Sequence, residues 1–145
     1  MAAAPEFRRA DEDEVALLQS VRDELYPELG GYDIGLVFRD QPAKVKGLEC
    51  AAVAHLAATR DATALLVGLD GWIEVYEDAW GEGEEYRRYL LDHELHHFCV
   101  RRGKLALCGH DFEDWPEVLS RHDPAVTGLQ RLVMESEIDC GNLRI

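Results

Sequence analysis

The sequence predicts one small α+β domain, in which a small mixed or antiparallel sheet packs against helices. Its 145 residues are the length of a single ordinary domain. Apolar residues recur at helical spacing in some segments and alternate with polar residues, as in strands, in others. No internal repeat divides the chain. We therefore expect residues 1–10 to be a loose N-terminus and residues 11–145 to form the domain.

The composition excludes several classes of protein. Hydrophobic residues make up 47% and charged residues 30% of the chain, which excludes a disordered or collagen-like protein. The net charge of −14 leads us to expect no direct binding to nucleic acid or to an anionic membrane surface. The first residues lack the layout of a secretory signal, and the longest apolar run is too short to span a bilayer. We expect a cytoplasmic protein.

The four cysteines lie at long, irregular spacings, at Cys50, Cys99, Cys108 and Cys140. Because they include no C-x-x-C pair, a cysteine-built zinc ribbon and a thioredoxin-type site are excluded. In a reducing cytoplasm we expect free, buried thiols. A bridge between Cys99 and Cys108, nine residues apart, is the alternative.

The first half of the chain predicts a helix followed by strands. Asp11 and Glu14 form a capping-box pattern, and apolar residues follow it at helical spacing until Pro27 ends the helix. Residues 34–38 are short and apolar, which indicates a strand. Residues 44–57 have mixed periodicity, so strand and helix both stay open.

The middle of the chain completes the sheet and leads into a long helix. Residues 64–69 and 72–76 predict strands on either side of an Asp70-Gly71 turn signal, which gives a sheet of about three or four strands. Residues 84–100 predict a helix that Gly103 ends, because a stripe runs along it at three- and four-residue steps. The stripe consists of Tyr86, Tyr89, Leu90, His93, His97 and Val100. Further helices are predicted to end near Arg121 and to follow Pro124.

Residues 93–97 read His-Glu-Leu-His-His and contain the pattern H-E-x-x-H. Since four residues are just over one helical turn, His93 and His97 project from one face and can hold one Zn²⁺. Glu94 lies beside them as a candidate general base for a water whose pKa zinc lowers to about 7. Two histidines on an apolar stripe favour a metal site over a solvated helix face. His96 lies on the other flank and is interpreted as a supporting or surface residue.

A catalytic zinc needs a third protein ligand and one open position for water. We favour His110, which follows His97 by thirteen residues, because the turn at Gly103 gives the chain room to reverse towards the metal. The acidic alternatives are Asp111, Glu113 and Glu117. His122 is interpreted as a helix-end residue that the helix dipole favours.

Two segments resemble the phage metallopeptidase family, a group with SprT-like zincin character. They are Leu-Leu-Asp-His-Glu-Leu-His-His at residues 90–97 and Gly-His-Asp-Phe-Glu-Asp-Trp at residues 109–115. Residues 72–80 are similar to the strand and connection that lead into the family's active-site helix. The resemblance implies a minimal zincin-like fold in which His93, His97 and His110 bind Zn²⁺ and Glu94 is the base. It also implies a protein or peptide substrate and, for a phage-encoded chain, a location in the host cytoplasm.

These observations predict a zinc-dependent metallopeptidase, and we expect residues 72–76 to be an edge strand that pairs with an extended substrate. The first alternative is a zinc-binding interaction module of the same fold without turnover. The second is an acidic decoy that occupies a nucleic-acid-binding partner, which the net charge alone supports. The oligomeric state, the cleavage specificity and the residue that stabilises the oxyanion stay open.

Overall fold

The computed structural model describes residues 4–45, 48–57, 68–108 and 121–122. These parts of the chain contain three helices, a 3₁₀ turn and eight strands, which confirms the α+β class. The elements are β1 (Phe7–Arg9), α1 (Glu12–Leu25), the 3₁₀ turn (Pro27–Leu29), β2 (Ile34–Arg39), β3 (Ala43–Val45), β4 (Leu48–Cys50), β5 (Ala52–Leu56), β6 (Gly71–Tyr76), α2 (Glu77–Trp80), α3 (Glu84–His96), β7 (Phe98–Arg101) and β8 (Lys104–Leu107). None of the helices described is long and apolar enough to cross a membrane. Most of the predicted strand at residues 64–69 and the predicted helices after residue 110 lie outside the described residues.

Helix α1 begins with the predicted capping box. The Asp11 carboxylate accepts from the Glu14 N–H at 2.9 Å, and the Glu14 carboxylate accepts from the Asp11 N–H at 2.8 Å. Three acidic residues in the first turn interact favourably with the helix dipole. The C-terminal cap of the helix is Tyr26. The helix therefore ends directly before Pro27, the residue predicted to end it.

The main sheet has the strand order β1-β2-β6-β5. Strands β2 and β6 run parallel, whereas β1 and β5 pair antiparallel with their neighbours. The choice between strand and helix for residues 44–57 is resolved in favour of strands where the structure describes them, in β3, β4 and β5. One face of the sheet packs against α1 and α3 through alternate apolar residues, among them Leu36, Phe38, Ile73 and Val75. This packing buries most of α3 and sets its position over the sheet.

The N-terminus requires a correction, because residues 7–9 form β1 instead of a loose end. Their main chain pairs with β2. The Arg8 guanidinium donates to the carboxylates of Glu14 and Glu77 and lies 4.2 Å from the centroid of the Phe38 ring. These contacts join β1 to the first turns of α1 and α2, so this short strand is ordered by partners far away in the sequence.

The expected edge strand is also corrected, because β6 lies inside the sheet. Its main chain is paired with β2 on one side and with β5 on the other, so an extended substrate cannot add to it. The first five residues of β6 are buried. Buried Glu74 accepts from the Trp72 indole N–H at 2.9 Å and from Arg39 at 3.1 Å.

Helix α3 is shorter than predicted and ends at His96. The next residues form the hairpin of β7 and β8. Arg102 and Gly103 have φ angles of 54° and 75°, and positive φ at both central residues is what a type I′ hairpin turn requires. Gly103 therefore closes a hairpin and does not end the helix. Because α3 ends at His96, the next residue, His97, is its C-terminal cap.

Glu14→Gln should lower the free energy of unfolding by about 1 kcal/mol at pH 7, because it weakens the capping box and the ion pair with Arg8. The Arg8 hydrogen bond holds the pKa of Glu14 below its ordinary value of 4.5. A lowered folded-state pKa stabilises the protein above the unfolded-state pKa, and this stabilisation disappears as the pH falls through the folded-state pKa. The difference between variant and wild type should therefore shrink with acidification.

Urea denaturation at pH 7 and at about pH 3 measures this difference. Glu12→Gln is the matched control, because Glu12 is exposed in the same helical turn and should change stability by less than half as much. A difference for Glu14→Gln that stays constant with pH would contradict the assignment.

Candidate metal centre

The C-terminal end of α3 brings together His93, Glu94 and His97. One ligand atom from each of these side chains lies within 4.8 Å of the others. The two imidazole centroids are 5.3 Å apart, and Glu94 Oε2 lies 3.9 Å from His93 Nε2. Within the described residues this is the one group of three or more such side chains close enough to share a metal ion. Its spacing is the one that the sequence predicts.

All three side chains are buried, with exposed fractions of 0% for His93, 1% for Glu94 and 6% for His97. Placing a carboxylate and two imidazoles in the protein interior costs free energy unless other groups or a cation compensate for the lost water. Imidazole nitrogens and carboxylate oxygens are donors that zinc accepts. The burial contradicts a solvated helix face with surface histidines and fits a metal site.

The main chain of Cys108 orients the His97 side chain. His97 Nδ1 lies 2.8 Å from the Cys108 carbonyl oxygen. Because a carbonyl can only accept, this hydrogen bond places the proton on Nδ1 and leaves the lone pair on Nε2. The Cys108 N–H in turn donates to the His97 carbonyl. Such an outer hydrogen bond is typical of metal-binding histidines, and no side-chain pattern in the sequence could have revealed it.

Cys99 and Cys108 form a disulfide, which corrects the expectation of free thiols. The hairpin register explains the pairing. Cys99 lies opposite Ala106, two residues before Cys108, so both cysteines project from the same face of the hairpin. Cys50 is disulfide-bonded as well, and none of the cysteines in the described part of the chain is free.

Asp92 is the centre of a second buried polar cluster on the flank of α3. Its carboxylate accepts from the Tyr26 hydroxyl at 2.5 Å and from Arg121 at 2.8 Å, and it lies 2.7 Å from His122 Nε2. The Tyr26 hydroxyl is also 3.0 Å from His96 Nδ1. The pKa of Tyr26 is raised, mainly by burial and to a smaller extent by the hydrogen bond to Asp92. The cluster thus ties the end of α1 and residues 121–122 to the turn of α3 that carries the candidate ligands.

The outcomes for the remaining histidines differ. His96, predicted to be a supporting or surface residue, supports this turn through Tyr26. His122 has the Asp92 carboxylate as a partner, 30 residues away in the sequence, and the predicted helix that it would follow lies outside the described residues. His110 and its acidic rivals Asp111, Glu113 and Glu117 lie outside the described residues.

A family profile described as putative phage metallopeptidase matches residues 7–137. The match covers most of the chain and includes the His93–His97 turn. No curated protein and no solved structure matches the chain.

Tyr26→Phe should lower the free energy of unfolding by about 2 kcal/mol, because it removes a hydroxyl donor from the buried Asp92 carboxylate and keeps the ring packing. Chemical denaturation measures the loss. Tyr32→Phe is the matched control, since the Tyr32 hydroxyl donates to the Gly103 carbonyl in an exposed position, and it should cost about 0.5 kcal/mol. Equal losses in the two variants would contradict a special role for the Asp92 cluster.

Proposed function

Because the chain belongs to the putative phage metallopeptidase family, we propose that it is a zinc-dependent peptidase with His93, His97 and His110 as metal ligands and Glu94 as general base. The observation that carries the proposal is the burial of two histidines and a glutamate together at the C-terminal end of α3 and its cap. The substrate is a protein or peptide, as the family implies.

The donor set fits zinc. His93 and His97 offer two imidazoles one helical turn apart, and the bond from His97 to Cys108 leaves Nε2 as the donor atom. His110 would supply the third nitrogen, with Asp111, Glu113 and Glu117 as rivals for that position. Three protein ligands and one open position are the pattern of catalytic zinc sites. When bound, zinc supplies the Lewis acidity that polarises a carbonyl and makes water easier to deprotonate.

The position of Glu94 supports its proposed role as the base. Its carboxylate belongs to the same cluster of ligand atoms, and its Oε2 atom lies 3.9 Å from His93 Nε2. This proximity to the first proposed ligand supports a role for the Glu94 carboxylate beside the metal. Glu94 would accept a proton from that water, hold it on a carboxylate oxygen and deliver it to the leaving amine nitrogen.

A zinc-binding interaction module without turnover is the second candidate. Two buried imidazoles that can share one metal ion support metal binding with or without turnover, and a structural site would differ by filling all four coordination positions with protein ligands. An acidic decoy, the third hypothesis, has the net charge of −14 as its only support. It predicts salt-sensitive binding to a basic partner whether or not zinc is present.

Glu94→Gln should lower kcat for hydrolysis of fluorescein-labelled casein at least about 100-fold and leave the zinc content unchanged, because it removes a base and no ligand. Glu85→Gln is the matched control, since Glu85 is exposed on the same helix and should keep the wild-type rate. A zinc-loaded wild type with no more activity than Glu94→Gln would favour the interaction module.

The purified chain should contain about one zinc ion, and His93→Ala, His97→Ala and His110→Ala should each lose it or bind it far more weakly. Elemental analysis after dialysis measures the content. His55→Ala is the control, because His55 lies on β5 and stacks against Trp72, outside the cluster. Zinc retained in His110→Ala alone would assign the third ligand to Asp111, Glu113 or Glu117. A wild type that binds no zinc even after reconstitution would overturn the proposal.

A further inference from the structure

The Cys99–Cys108 disulfide lies next to the candidate metal centre and has no part in the proposed chemistry. We propose that it makes metal affinity depend on the redox state of the protein, by holding the Cys108 main chain against His97. The inference rests on the proposed function, because it requires His97 to be a metal ligand.

Cys108 contacts His97 through both of its main-chain polar groups. Its N–H donates to the His97 carbonyl, and its carbonyl accepts from His97 Nδ1 at 2.8 Å. The position of Cys108 therefore helps to orient the imidazole and favours the tautomer with its lone pair on Nε2. If Nε2 carried the proton, it could not bind a metal, and the only lone pair left would be on Nδ1, which lies against the Cys108 carbonyl.

Cys108 stands just beyond the last residue pair of the hairpin ladder. The ladder between β7 and β8 ends at the pair of Phe98 and Leu107, and Cys108 follows directly after it. Residues at such an end open before those in the middle of an element. The bond to Cys99, with a Cα–Cα distance of 6.5 Å, fastens this end covalently to the neighbouring strand.

Both cysteines are half-buried, so a small reductant can reach the bond. In thiol–disulfide exchange, a thiolate of a dithiol attacks one sulfur and the second thiol resolves the mixed disulfide. The Cys99–Cys108 disulfide thereby gains two electrons and two protons and becomes two thiols. The reducing dithiol loses the same electrons and protons and becomes a disulfide. The hairpin end opens more often after this step, and His97 loses its fixed tautomer for part of the time.

We expect reduction to weaken zinc binding about tenfold, at the lower end of the roughly 10- to 100-fold loss that follows removal of an outer hydrogen bond from a ligand. Competition with a chromogenic chelator gives the zinc dissociation constant of the oxidised wild type, of the wild type reduced with a water-soluble phosphine, and of Cys99→Ser/Cys108→Ser. The phosphine takes oxygen from water to become its oxide and adds no thiol that could bind zinc.

The serine variant separates the disulfide from the thiols, because free thiols can themselves bind zinc. It should bind zinc about tenfold more weakly than the oxidised wild type and should not respond to the phosphine. Cys50→Ser is the matched control: it removes a different disulfide-bonded cysteine and should keep both the oxidised affinity and the response to reduction.

A second measurement reads the His97 tautomer directly. The ¹⁵N shifts of the imidazole in the metal-free protein, recorded at a pH at which the shifts themselves show a neutral ring, should show Nδ1 protonated in the oxidised wild type and a mixture of tautomers in the reduced wild type and the serine variant. A merely structural disulfide would leave this ratio unchanged.

Equal zinc affinity, or an equal tautomer ratio, in the oxidised wild type and the folded serine variant would overturn the redox inference and leave the proposed function intact. Failure of the oxidised wild type to bind zinc would overturn both.

Discussion

The main constraint on this structure is that polar side chains are buried at the C-terminal end of α3 and need partners there. Four side chains there have exposed fractions of 6% or less: Asp92, His93, Glu94 and His97. Such groups cost several kcal/mol in a protein interior unless hydrogen bonds, opposite charges or a metal compensate. Tyr26 and residues 121–122 contact Asp92 on one flank of the helix. The Cys108 carbonyl contacts His97 beyond the helix end. Between these two places lie the ligand atoms of His93, Glu94 and His97, which a metal ion could bind.

The rest of the fold holds the segments that contact this end of α3 in place. The parallel pair of β2 and β6 gives the sheet an apolar face on which α1 and α3 lie together. This brings Tyr26, at the end of α1, to the last turn of α3, 66 residues later. The β7–β8 hairpin starts one residue after His97 caps the helix, so the ladder itself returns the chain to that histidine. A metal at this point would couple its binding energy to the stability of all three segments.

The sequence predicts the features whose signals are local. The capping box at Asp11 and the His93–His97 spacing each depend on residues within one helical turn, and both are found. Wrong predictions involve competing or distant partners. Residues 98–100 continue a helical stripe, yet the positive φ of Arg102 and Gly103 favours a hairpin. The interior place of β6, the ordering of β1 by Glu77, and the disulfide all follow from contacts between segments, which periodicity along one segment does not contain.

The burial of Glu94 bears on the choice between a peptidase and an interaction module. A structural zinc site needs its ligands alone, and an apolar residue beside them would fill the same space without the cost of desolvating a carboxylate. Glu94 is 1% exposed and follows the first histidine directly, at the position where a base is useful and a charge is otherwise unfavourable. Proteins retain such locally unfavourable choices mainly at functional sites. The glutamate, more than the histidines, is therefore the residue that favours catalysis over metal binding alone.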